Sequence, residues 1–136
     1  MAGSLAQHNW LQDKLYHEPE LLGTDRYNIR SKAKEFGLTY NGQLLTVPDI
    51  FFGTWQGPNE MYEVKSSGNA KLFSKGMSQL EKMALWHDKN GYAPSKMQLI
   101  MPRGDHYKLW LDMLPELEVY ELGDTYKRGN VITLGR

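Results

Sequence analysis

The chain reads as a single small α/β domain, a mixed central sheet flanked by helices. Three features predict it. The hydrophobic period changes from helical to alternating near residue 37, the strand-like runs that follow are separated by turn dipeptides, and one long amphipathic helix divides these runs from later ones. With 136 residues and 40% hydrophobic content, the whole of 1–136 is sized for one domain with one core. The expected order is α-α-β-β-β-α-β-α-β-β.

Taken in order, residues 5–17 predict a helix with Ser4 as N-cap and Leu5, Leu11 and Leu15 among its apolar positions. Glu18-Pro19-Glu20 interrupts it, because a proline ring removes a backbone donor. A second helix is expected over about 25–36, capped by Thr24 or Asp25 and closed by Gly37. Asn41-Gly42 between Leu38-Thr39-Tyr40 and Gln43 to Val47 signals a type I′ hairpin. Strands follow at Asp49 to Trp55 and Met61 to Ser66, joined by the turn Gln56-Gly57-Pro58-Asn59. Residues 75–89 form the clearest helix, with Met77, Leu80, Ala84 and His87 on one stripe and Gly91 ending it. Met97 to Met101 reads as an apolar strand, Asp105 to about Leu114 as a short helix, and Leu117 to Leu122 and Val131 to Leu134 as late strands.

Composition narrows the function classes. The absence of cysteine excludes disulfides, thiolate metal sites and a cysteine nucleophile, and fits a reducing cytoplasm, the host's if the source is viral. No apolar run approaches the roughly 20 residues of a membrane helix, and Met1 to Ser4 lacks the basic and apolar regions of a signal peptide. A net charge of +0 argues against indiscriminate nucleic-acid binding but leaves room for a local basic face. Four tryptophans and eight tyrosines are rich for this length and suit an interface between subunits.

The chemistry concentrates between Pro48 and Lys65. A hairpin turning at Gly57-Pro58 brings Asp49 alongside the end of the next strand, within reach of Glu63. Gly53 is available to bend its strand. Glu63 and Lys65 share one strand face, with Tyr62 and Val64 on the other. Two adjoining carboxylates repel unless a cation lies between them, and an all-oxygen pocket suits Mg²⁺, which takes one or two carboxylates, waters and phosphate oxygens. Such an ion polarises a phosphodiester and lowers the pKa of water, while Lys65 orients the attacking water or offsets transition-state charge. In the following helix Lys75, Gln79, Lys82 and Trp86 share a face: either it lines a cleft, with the lysines on phosphates, or it is a solvated face with Trp86 packed on a neighbour.

Pro48-Asp49, then Glu63-Val64-Lys65-Ser66-Ser67, then Gln79 in a helix, resembles the PD-(D/E)xK nuclease superfamily. The look is closest to archaeal and viral Holliday-junction resolvases and VRR-NUC-type nucleases, over about residues 45–101. The resemblance implies a restriction-endonuclease-like αβββαβ core. It implies a Mg²⁺-dependent DNA endonuclease, with Mn²⁺ able to substitute, acting in recombination or repair, of the structure-selective kind that works as a symmetric homodimer. It implies that Asp49 and Glu63 bind the metal with the Val64 carbonyl, that Lys65 is catalytic, and that Gln79 assists. Ser66, Ser67, Lys71, Lys75 and Lys82 are the expected DNA contacts. A sequence-specific restriction or homing-type endonuclease, and a non-catalytic DNA-binding module, are the competing readings. An upstream acidic ligand is also implied: Glu18, Glu20, Asp25 and Glu35 are candidates, and Glu20 ranks first.

The remaining motifs read more simply. His8, His17, His87 and His106 lack metal-ligand spacing, and His87 reads as a core histidine. Arg103-Gly104-Asp105-His106 reads as a turn and cap, and Lys127-Arg128-Gly129 as a loop.

Overall fold

The computed structural model describes residues 5–67, 69–91, 95–102, 119–122, 125–128 and 131–134. The expectations for Ser4 and for the segment 103–118, including the helix at 105–114, lie outside them. The chain opens with α1 (Leu5–His17), as the apolar spacing predicts. Two 3₁₀ turns follow, Pro19–Leu22 and Arg26–Asn28. The strands are β1 (Ile29–Lys34), β2 (Leu38–Tyr40), β3 (Gln43–Thr46), β4 (Ile50–Thr54) and β5 (Glu60–Val64). Helix α2 (Ala70–Asn90) precedes β6 (Lys96–Pro102), β7 (Val119–Leu122), β8 (Thr125–Arg128) and β9 (Val131–Leu134). Among the described residues no helix is long and apolar enough to cross a membrane.

The main sheet is mixed, in the order β1-β4-β5-β6-β9-β8-β7. Strands β5, β6 and β9 run parallel, and the neighbours on either side are antiparallel. The parallel β5–β6 pair requires a crossover, which α2 supplies. Alternation along the strands sends apolar side chains to both faces. On one face Ile50, Phe52, Tyr62, Val64 and Ile100 pack under Leu11 and Leu15 of α1. On the other, Met61, Leu99 and Met101 pack under Phe73, Leu80 and Met83 of α2. The buried stripe of α2 is therefore Phe73, Gly76, Leu80, Met83 and His87, with Ala84 exposed, a rotation of the stripe expected from sequence. Gly76 permits the closest approach of helix and sheet: a Cβ there would lie 2.5 Å from a methyl of Leu99.

Two expectations are corrected. Residues 29–34 are a strand at the sheet edge, where the sequence suggested a helix over 25–36. Ladder bonds to β4 from Ser31 to Lys34 outweigh the helix propensity of Arg, Lys and Ala. Asp25 still caps a turn, accepting the Tyr27 N–H at 2.9 Å, but that turn is a short 3₁₀ one. Gly53 serves this pairing rather than bending its own strand: a Cβ there would lie 2.4 Å from Ser31 Oγ, beside the register shift in β1. The second correction is Lys127 and Arg128, which belong to β8 rather than to a loop. The Asn41-Gly42 hairpin forms as expected, with both residues at positive φ (50° and 79°), but as a separate two-stranded sheet. Its Leu38 is buried in the core beneath α2.

Candidate metal and catalytic site

The turn at Gly57 (φ 85°) closes β4 onto β5. Pairing of Ile50 with Tyr62 and Phe51 with Met61, carried one residue further, sets Asp49 opposite Glu63. Directly opposed residues in an antiparallel pair have Cβ atoms about 5 Å apart. The Asp49 Oδ2 accepts the Val64 N–H at 2.7 Å, which clips the carboxylate to the end of β5. Two residues of α1 reach the same point. Gln12 Nε2 donates to the Asp49 carbonyl at 2.7 Å, and His8 Nε2 lies 3.3 Å from Asp49 Oδ1.

Glu63 is 2% exposed, yet its Oε1 has no hydrogen-bond partner among the described residues. Its Oε2 lies 3.7 Å from Lys65 Nζ, whose side chain is 11% exposed. Burial chiefly, and the adjoining Asp49 carboxylate next, push the Glu63 carboxyl up to about 9; Lys65 opposes them. Without a cation the pair therefore holds a proton near neutral pH, as crowded carboxylates must. Among the described residues no set of three His, Cys, Asp or Glu is arranged to hold a metal. Two carboxylates with a buried oxygen to spare nevertheless fit Mg²⁺, which keeps several waters and needs few protein ligands.

Gln79 of α2 is half-buried and its Oε1 is likewise enclosed without a partner among the described residues. It lies one turn beyond Gly76, which packs on Leu99, and Leu99 pairs with Glu63 in the β5–β6 ladder. Ser66 and Ser67 are half-buried between β5 and α2, and Ser67 Oγ is 3.4 Å from Asn69 Nδ2. Asn69 caps α2 by accepting the Leu72 N–H at 2.9 Å, so the helix starts five residues earlier than sequence suggested and includes Lys71. Lys71, Lys75 and Lys82 are exposed on the outer side of α2. Trp86 is half-buried against the core and donates Nε1–H to the Thr39 carbonyl at 3.0 Å.

Glu20 is not brought to the carboxylate pair. It is exposed and forms a two-pronged ion pair with Arg26, at 2.7 Å to each nitrogen, whose hydrogen bonds hold its carboxyl down to about 2. The chain just after it meets the opposite end of β5, where Thr24 bonds Glu60. Asp25 caps its turn, and Glu35 is exposed at positive φ (53°) beyond β1. The upstream side chain that meets the Asp49 carboxylate is His8, which sequence reasoning sets aside because it lacks metal-ligand spacing; its partner is remote in the chain. His87 is a core histidine as expected, held between the Met83 carbonyl and Ser95 Oγ at 2.8 Å each.

Comparisons with known protein families, with curated proteins and with solved structures find no match to this chain.

Proposed function

We propose that the chain is a divalent-metal-dependent DNA endonuclease with a restriction-endonuclease-like core, hydrolysing phosphodiester bonds. One observation carries the reading: two carboxylates from adjacent strands, Asp49 and Glu63, adjoin beside Lys65, with Glu63 Oε1 buried and without a partner among the described residues. A buried acceptor without a donor costs roughly 1–3 kcal/mol, and such a cost is tolerated where a ligand repays it on binding. The run α1, β1, β4, β5, α2, β6 supports the αβββαβ part of the reading.

In this reading Asp49 and Glu63 hold Mg²⁺, or Mn²⁺ in its place, with the Val64 carbonyl beside them. When bound, the ion supplies Lewis acidity towards a phosphoryl oxygen and makes water a better nucleophile. His8 and the Val64 N–H fix the rotamer of Asp49, so the carboxylate is positioned before any ligand arrives. Lys65 places its ammonium next to Glu63, where it orients the attacking water and offsets charge gathering on the phosphate. Gln79 offers its enclosed amide oxygen to that water. Ser66, Ser67, Lys71, Lys75 and Lys82 take neighbouring phosphates. Selectivity for branched DNA and a homodimeric state extend the same proposal from the sequence resemblance, and a cytoplasmic setting extends it from the cysteine-free sequence.

The test is a cleavage panel of four-way junction, flap, nicked duplex, plain duplex and single strand, with Mg²⁺ and with EDTA. Mg²⁺-dependent cutting, strongest on the junction and absent in Asp49→Ala, is the expected result. Cutting of plain duplex at one sequence would replace the resolvase reading with a restriction-type one. Binding without any cutting would leave a DNA-binding module.

A further inference from the structure

Between the β4–β5 hairpin and the C-terminal half of α2 lies a cleft of about 380 Å³, within the size range of small-molecule sites. Its walls are aromatic and fixed. Phe36 stacks on Phe51 with ring centroids 4.8 Å apart and planes 18° from parallel, and Phe36 is 40% exposed. Trp86 is held by its bond to Thr39. Flat, rigid π-faces of this kind bind planar rings by stacking.

The polar groups of the cleft are fixed as well. His87 Nδ1 lies against the Met83 carbonyl, so the ring proton is there and Nε2 accepts from the Ser95 hydroxyl. Ser95 Oγ is left as an acceptor. Asn59 Oδ1 accepts the Thr54 N–H at 3.0 Å, which sets the amide's orientation and leaves its NH₂ as the donor. The cleft thus presents one donor and one acceptor beside aromatic faces. Nucleobase edges carry neighbouring acceptors and donors in that manner.

Position adds the third argument. Met61 lines the cleft, and Glu63 is the next residue on the same face of β5, about 7 Å along the strand. Asn59, at the far end of the cleft, lies four residues before Glu63, about 13 Å along the strand, so the cleft and the carboxylate pair lie within the span of adjacent nucleotides of one strand. We propose that this cleft is a nucleobase subsite, receiving an unstacked base of the nucleic-acid strand whose phosphate lies at Asp49 and Glu63. The inference rests on the nuclease reading for what the base belongs to, but binding of the base itself needs neither metal nor cleavage.

The test is therefore run in EDTA. Adenosine 5′-monophosphate, thymidine 5′-monophosphate, ribose 5-phosphate, inorganic phosphate and a short single-stranded oligonucleotide are titrated into ¹⁵N-labelled protein. The readout is the indole N–H resonance of Trp86, assigned with Trp86→Phe. Both mononucleotides and the oligonucleotide should shift it, while the two phosphates lacking a base should not. Phe36→Leu, which keeps apolar volume without a π-face, should weaken mononucleotide binding about ten-fold, and Phe36→Tyr should restore it. No shift with any nucleotide, an equal shift with ribose 5-phosphate, or unchanged affinity in Phe36→Leu overturns the subsite. A shift with mononucleotides but none with the oligonucleotide overturns its place on a strand. Loss of cleavage with base binding intact would count against the nuclease reading alone.

Discussion

Strand β5 carries two buried glutamates, three residues apart, that face opposite sides of the sheet and have opposite surroundings. Glu60 takes hydrogen bonds from Thr24 Oγ1, at 2.5 Å, and from the Tyr62 hydroxyl. Tyr62, buried and tied to that carboxylate, has its own ionisation pushed well above the usual tyrosine range. Glu63 is buried more deeply, faces a second carboxylate, and keeps one oxygen without a partner among the described residues. Burial alone does not distinguish a structural carboxylate from a functional one; spare bonding capacity does. At Glu60 two donors from the same fold converge on Oε1, whereas at Glu63 the fold leaves a buried Oε1 without a partner among the described residues, capacity that a cation would use.

The largest expected effects break this comparison directly. Glu63→Gln and Asp49→Ala should each lower Mg²⁺-dependent cleavage by about a thousand-fold or more, since the site is asked to supply several kcal/mol of transition-state stabilisation. Glu60→Gln should leave the rate per folded molecule near wild type, measured on the same junction substrate. If Glu60→Gln abolishes cleavage as fully as Glu63→Gln, the division of roles between the two glutamates fails.

Stability should respond in the reverse order. Glu60→Ala removes the acceptor shared by two buried hydroxyls, leaving Thr24 and Tyr62 only each other at 3.4 Å, and should cost about 1–3 kcal/mol, read from urea midpoints. Gly76→Ala should cost about 1–3 kcal/mol by overpacking, because the new methyl meets a Leu99 side chain that has no exposure and no room to swing.

A smaller effect follows from pH. The folded-state value for Glu63 is raised to about 9 from 4.5, so the folded protein holds this proton more tightly than the unfolded chain does. Its stabilising contribution is complete below about 4.5 and is lost as pH rises through about 9. Thermal melts in EDTA should therefore show a decline over that window in wild type that is absent in Glu63→Gln, and added Mg²⁺ should offset it. A wild-type profile that parallels Glu63→Gln would contradict the buried, proton-holding pair.

The smallest expected change is Gln79→Leu. Replacing an amide whose oxygen is buried without a partner among the described residues should be nearly neutral for stability, while the cleavage rate falls. A marked loss of stability would show that Gln79 is structural, like Glu60.

Much of this arrangement was legible from local patterns. The Asn41-Gly42 turn, the strands around Asp49 and Glu63, and the Gly91 stop of α2 follow from turn chemistry and alternation. Strand β1 was not legible, because Arg30, Ser31, Lys32, Ala33 and Lys34 carry no strand alternation and favour helix; only the neighbouring β4 makes them a strand. The helix stripe was misplaced by one position because Ala84 looks apolar in sequence, whereas Met83 is the residue that reaches the core. At the site, the Asp49, Glu63 and Lys65 grouping follows from hairpin geometry. The contacts of His8 and Gln12 with Asp49 do not, since they depend on how α1 crosses the end of the sheet.

The most direct test of the central claim is calorimetric titration of Mn²⁺ into wild type, Asp49→Asn and Glu60→Gln in the absence of DNA. Asp49→Asn keeps an acceptor for the Val64 N–H and removes only the charge. The account predicts saturable binding in wild type and Glu60→Gln and its loss in Asp49→Asn. No binding to wild type, or undiminished binding to Asp49→Asn, would contradict it.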